Sequence, residues 1–212
     1  MSTGTRNTDP GKGVEATAKV LHLSQKLPAS RRRQVAPNGV LGMLMFVIAE
    51  AMFFGGLISA HAIVRAGALR GWPPPGQPRL PVEATLVNTA ALIASGVLLY
   101  FAQRAYRTSP RAARTPMMLA MLLGSAFVLL QGREWVAMLH QGLTMTSSAH
   151  GAFFYLIIGT HGLHALGGIA VLAWAFVRLR RGLLVGSELV TVQIFWYFVV
   201  GMWPLLYLRV YL

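Results

Sequence analysis

The sequence predicts an all-α protein, a polytopic membrane bundle of five transmembrane helices. Three observations carry that expectation. Of the 212 residues, 55% are hydrophobic and only 12% charged, a balance suited to lipid better than to water. Five runs are long and apolar enough to cross a hydrocarbon core of roughly 30 Å, which takes about 20 apolar residues. The segments between these runs are short and polar, so little chain is left for a soluble domain.

The elements follow in order. Residues 1–37 carry seven Lys/Arg and no apolar periodicity. They lack the short apolar core and small-residue cleavage site of a signal peptide, and are expected to form a disordered, basic cytoplasmic tail. The membrane domain is expected over residues 38–212, its first span running from Gly39 to Val64. The prolines of RAGALRGWPPPGQPRLPVE, Arg65 to Glu83, end that helix, and Trp72 falls where an interfacial anchor sits. The second span, Ala84 to Ala105, offers Asn88 and Ser95 as polar packing positions beside the small Ala91. A basic turn, TSPRAARTP, leads into the third span, Pro116 to His140. The fourth, Ala149 to Val177, ends in RLRRGLLVGS, and the fifth runs from Leu189 to Leu212.

Basic residues orient the bundle. With the N-terminus in the cytoplasm, fourteen Lys/Arg lie on the inner face and four on the outer, so the positive-inside bias selects N-terminus cytoplasmic, C-terminus outside. The net charge of +13 then faces anionic lipid headgroups. Nucleic acid is not the expected partner, because the basic residues cap spans and no globular domain accompanies them. With no cysteine in the chain, disulfides, thiolate ligands and thiol catalysis are excluded.

Function should show at polar residues inside the spans, since a charge at the bilayer centre costs about 2.5–3.5 kcal/mol even on the lenient scale. Glu50, in LMFVIAEAMFFGG, lies almost midway along the first span. Two readings stand side by side: a protonatable site, and a carboxyl hydrogen-bonded to a neighbouring helix. In QGREW, Gln131 to Trp135, Arg133 and Glu134 point roughly 100° apart and each needs a partner elsewhere. Arg133 is expected to snorkel to the headgroups, Glu134 and Gln131 to face protein, and a contact between Glu134 and His161 is geometrically allowed.

GTHGLHALGG, residues Gly159 to Gly168, sets His161 and His164 one helical turn apart. A metal needs a third and a fourth ligand, and none is evident. His150 and His164 are fourteen apart, a spacing that in b-type cytochromes places two haem ligands on one helix face; His140 is available opposite near the outer surface, but nothing obvious stands opposite His164. The surrounding glycines favour helix packing instead, with both histidines donating to carbonyls or carboxyls of adjacent helices. A small transporter is disfavoured because five spans do not divide into inverted halves.

EAMFFGG, LVNTAALIASG, LLQGREW, HGAFFYLIIGTHGLHALGG with Arg178 after it, and FWYFVVGMWPLLYL stand in the order found in subunit III of the haem-copper terminal oxidases. The chain resembles that family from Gly39 to Leu212, in the five-helix form of many bacterial members. The resemblance implies a non-redox subunit of the bacterial inner membrane, with no catalytic residue, haem or copper of its own. Haem and copper would sit in the catalytic subunit I, against which this chain packs, with subunit II as a further partner. The family binds structural phospholipid and supports proton uptake and turnover stability. Glu50 matches the family's carbodiimide-reactive glutamate, and Arg178 matches a basic residue at the cytoplasmic helix end that contacts lipid phosphate. His161, set with Arg178 as lipid-binding, and His164 match the HGLH packing element. Tyr197 and Val200 replace the histidine and aspartate of the usual WHFVD, and Ser147 stands near a position that is often acidic. These departures open an alternative in which the partner is a quinol oxidase or a nitric oxide reductase.

Overall fold

The structure, a computed structural model, describes residues 37–69, 71–78, 80 and 82–211. The expected basic tail therefore lies, apart from Pro37, outside the described residues. Five α-helices follow one another with no strand among the described residues: α1 (Asn38–Ala66), α2 (Val82–Thr108), α3 (Arg114–His140), α4 (Ala149–Arg180) and α5 (Gly186–Leu206). A π-helical turn, Tyr207–Tyr211, closes α5. All five helices are long and apolar enough to cross a membrane, as the composition predicts.

Their ends differ from expectation in one direction. The fourth helix continues through Arg180 and the fifth begins at Gly186, because basic and small polar residues that stop a hydropathy run do not stop a helix. At 32 residues, α4 is about 48 Å long, so its ends stand in the headgroup layers. Its start is set by Ser148, whose extended backbone lets Oγ accept the Gly151 amide at 3.1 Å, a side-chain cap on an otherwise orphaned donor.

The fifth helix fills the core. Ten of its residues are buried, against only Phe54 and His61 on α1. It is fastened to antiparallel α2 by a ladder of side-chain donors. Gln193 donates to the Leu99 carbonyl (3.1 Å), Trp196 Nε1 to Ser95 Oγ (2.9 Å), Trp203 Nε1 to Thr89 Oγ1 (2.8 Å) and the Tyr207 hydroxyl to the Val82 carbonyl (3.1 Å). In a bilayer no water satisfies these groups, so each bond removes a polar penalty as well as joining two helices.

Trp196 is wholly buried, and its indole lies between glycines on two other helices. A methyl group on Gly124 of α3 would stand 2.7 Å from the ring, and one on Gly168 of α4 also 2.7 Å. Glycine at both positions is therefore required for the close approach of α3, α4 and α5. Val200 packs over Gly96 of α2 in a looser version of the same contact, 3.2 Å from a methyl there.

Gly168→Ala is expected to cost about 1–3 kcal/mol through overpacking, whereas Gly132→Ala, where an added methyl meets nothing within 4 Å, should stay within about 0.5 kcal/mol of wild type. Thermal unfolding of the purified protein compares them, and equal Tm values for the two variants would refute the packing argument.

Candidate functional site

Polar groups of the bundle gather in three places, two within the spans and one at a helix end. The first joins α1 to α4. Glu50 Oε2 lies 3.1 Å from His164 Nε2, with side-chain exposures of 22% and 15%. His164 Nδ1 is 2.8 Å from the carbonyl oxygen of Thr160, one turn earlier. A carbonyl only accepts, so Nδ1 carries its hydrogen, and a hydrogen bond between Nε2 and Oε2 then needs a proton on one of those two atoms. Whether that proton rests on nitrogen or on oxygen, the pair as a whole is neutral, which avoids the cost of a lone charge in hydrocarbon. Phe54, Phe195 and Phe198 stand around the imidazole, with ring centroids 5.5, 6.2 and 6.1 Å away.

The expected hydrogen bond from His164 to a carboxyl of an adjacent helix is thus present, and its partner is Glu50. Among the described residues, no group of three or more His, Cys, Asp and Glu lies close enough to hold a metal ion.

The second place joins α2, α3 and the closing turn. Glu134 accepts from Thr85 Oγ1 (2.8 Å), Asn88 Nδ2 (2.9 Å) and Gln131 Nε2 (3.1 Å), and Gln131 Nε2 also donates to the Tyr211 hydroxyl (2.9 Å). The allowed contact between Glu134 and His161 is not formed. Helix α2 supplies the partners because α2 and α3 are close-packed neighbours, and Asn88 and Thr85 project at the depth of Glu134. Arg133 is exposed. Asn88 and Ser95, both read as packing positions, serve different neighbours: Glu134 on α3 and Trp196 on α5.

His161 departs from expectation. It is 1% exposed, its ring lies 5.2 Å from that of Trp203 at an interplanar angle of 31°, and neither ring nitrogen has a hydrogen-bond partner among the described residues. No adjacent-helix carbonyl comes within reach, because the neighbouring faces there are aromatic.

The third place is the far end of α4. Arg178 forms a two-pronged pair with Glu188 at the start of α5, Nε to Oε2 and Nη2 to Oε1 both at 3.1 Å. Nη2 also donates to the Leu183 carbonyl at 2.8 Å, and the guanidinium stands 5.1 Å from the centre of the Trp174 ring. Glu188 Oε2 accepts the Val185 amide at 3.0 Å, so one carboxylate caps α5 and balances Arg178. Sequence reasoning missed Glu188, although an acid in the first turn of the last span is an N-terminal capping signal. Arg178 and His161 do not share a site: seventeen residues apart on one helix, they are separated by about 26 Å.

Comparison with known proteins identifies relatives of the chain. The family described as cytochrome c oxidase subunit III matches residues 29–212. A probable cytochrome c oxidase subunit 3 of Nocardia farcinica is 32% identical over 184 residues, covering 82% of this chain and 88% of the relative. The corresponding protein of Mycobacterium leprae is 32% identical over 181 residues with the same coverage. A cytochrome c oxidase subunit 3 of Equus caballus is 31% identical over 179 residues, 80% of this chain and 67% of the relative. The five membrane-spanning helices and these matches lead to one conclusion: the chain belongs to the cytochrome c oxidase subunit III family and is a multi-pass membrane subunit III of a haem-copper oxidase complex.

Proposed function

We propose that this subunit performs no redox chemistry itself, and that it supports proton uptake and turnover stability in the complex while holding structural phospholipid. The observation that carries the proton role is the contact of Glu50 with His164, 3.1 Å between carboxyl and imidazole on two helices within the spans. Haem and copper belong, on this reading, to the catalytic subunit I, with subunit II as the further partner. The nearly unburied apolar surface of α1 is open to a partner helix. The basic loops support a bacterial cytoplasmic-membrane setting with the N-terminus inside and the C-terminus outside.

Phospholipid binding centres on Arg178. Its side chain is 31% exposed and stands near Arg180 and Arg181 at one end of α4, where a phosphate meets several cations. Glu188 competes for the same guanidinium, so binding there depends on the carboxylate yielding part of its contact. A quinol oxidase or nitric oxide reductase partner is the second reading, favoured by Tyr197 and Val200 in the place of a histidine and an aspartate.

Glu50→Gln preserves the size of the side chain and removes the exchangeable carboxyl proton. The complex is expected to assemble fully, with slower proton uptake and a shorter active lifetime during continuous turnover; His164→Gln is expected to match it. Proton uptake by stopped flow and activity decay during turnover are the measurements, and wild-type values for both variants would remove the proton role.

Arg178→Ala is expected to weaken phospholipid retention about fivefold, the factor for roughly 1 kcal/mol per basic residue near a membrane surface. Glu188→Gln, which leaves the cation without its counterion, should hold phospholipid at least as well as wild type. Native mass spectrometry counts the retained lipid, and full retention by the alanine variant would contradict the assignment.

A further inference from the structure

A cavity of about 520 Å³ lies between α3 and α4, closed on one side by Trp203 of α5. Most of its wall is apolar, with Phe127, Trp135, Leu156 and Leu163 prominent. Leu163 and Leu166, also on the wall, are 70% and 53% exposed, so the cavity is reached from the side of the bundle that faces lipid or a partner. Gly159 and Gly162 open the space: the edge of the Trp135 ring lies 3.7 and 3.2 Å from where their methyl groups would be.

One part of this apolar wall carries polar atoms left without partners. They are both ring nitrogens of His161, Oε1 of Gln131 and Nε1 of Trp135. His161 is 1% and Gln131 5% exposed, so water outside the protein does not satisfy them. Gln131 spends its Nε2 on Glu134 and Tyr211, which leaves its carbonyl as an acceptor. Trp135 Nε1 only donates, and a neutral imidazole offers one donor and one acceptor. Buried groups of this kind cost about 1–3 kcal/mol each when left unpaired, and three residues bearing them line one cavity. Among the described residues, no Lys, Arg, Asp or Glu lines it, so a phosphate or carboxylate placed inside would be an uncompensated buried charge.

We propose that this cavity binds an uncharged, lipid-soluble molecule with an oxygen-bearing end and a hydrocarbon body. Carbonyl or hydroxyl oxygens accept from Trp135 Nε1 and from the N–H of His161. A hydroxyl, where present, donates to Gln131 Oε1, and the hydrocarbon lies along Phe127, Leu156 and Leu163. Water alone matches the polar end but not the rest, because an apolar wall of this size stays dry. The ring of an isoprenoid quinol presents this chemistry, because its hydroxyls both accept and donate; a diacyl ester has no donor and would leave Gln131 Oε1 unpaired. The site is separate from the phosphate contact of Arg178 and stands whether or not Glu50 and His164 serve proton uptake.

The test uses the intact oxidase complex, purified in mild detergent, with bound quinone and diacyl lipid counted by native mass spectrometry and by extraction. Gly132→Leu adds a side chain on the cavity wall at a position where an added methyl meets nothing within 4 Å, and is expected to lower occupancy at least about tenfold. His161→Phe keeps a ring against Trp203 and removes both nitrogens; the loss of one to two hydrogen bonds should lower occupancy about tenfold, the factor for roughly 1.4 kcal/mol. Subunit composition and haem content should be unchanged in both. Loss of quinone identifies the ring as the occupant. Unchanged quinone in both variants, or loss of a diacyl lipid with quinone unaltered, would overturn the proposal. So would loss of the catalytic subunit from Gly132→Leu with quinone unaltered, which would show that a partner side chain fills the cavity.

Discussion

The bundle depends on one aromatic side chain entering a space that only glycine leaves open. Trp196 reaches α3 at Gly124, α4 at Gly168 and α2 through its bond to Ser95 Oγ, so four helices meet at one indole. In lipid, helices gain little from hiding apolar surface, since hydrocarbon outside is as apolar as the interior. Close packing and satisfied polar groups must supply the cohesion, and Trp196 supplies both at once. Trp203, two turns further along and bonded to Thr89, repeats the device, with the Phe127 ring 4.8 Å from its own.

Around this centre the helices are joined by polar groups whose alternative is to remain unpaired in hydrocarbon. Glu134 binds α3 to α2, and Gln131 extends that network to Tyr211. Glu50 binds α1 to α4. The last pairing bears more weight than its single contact suggests, because α1 buries only two residues of its own. The group proposed to carry a proton is therefore also one that holds the outermost helix in place. Under the proposed function, one residue serves both the proton and the attachment of this helix.

Much of this was legible in the sequence, and for a physical reason. Apolarity sustained over about 20 residues seldom arises outside a membrane span, so five spans could be read directly, and the glycines near Gly168 announced a close approach. The motif order also carried the family. What could not be read were partners across space. Glu50 and His164 are separated by more than a hundred residues, and nothing local marks one as the mate of the other. Glu134 could be placed at the depth of His161, yet depth alone does not choose between neighbouring helices, and α2 provided the hydrogen bonds. His161 and His164 share one helix face and the same residue type but meet opposite fates, one saturated and one without a hydrogen bond, because the facing side chains come from different helices.

The order of the helices along the chain has a consequence for biogenesis. Each span enters the membrane as it leaves the ribosome, at about 5–20 residues per second, and the N-terminal helices arrive first. The side chains that fill the centre, however, sit on α5, the last of the five. Until it inserts, Gly124 and Gly168 face an empty seam, and Ser95 and Thr89 lack their tryptophan donors. Before the final helix arrives, α2 and α3 can already join through Glu134, and α1 and α4 through Glu50, while the seams that receive Trp196 and Trp203 stay unfilled; arrival of that helix then closes the centre of the bundle.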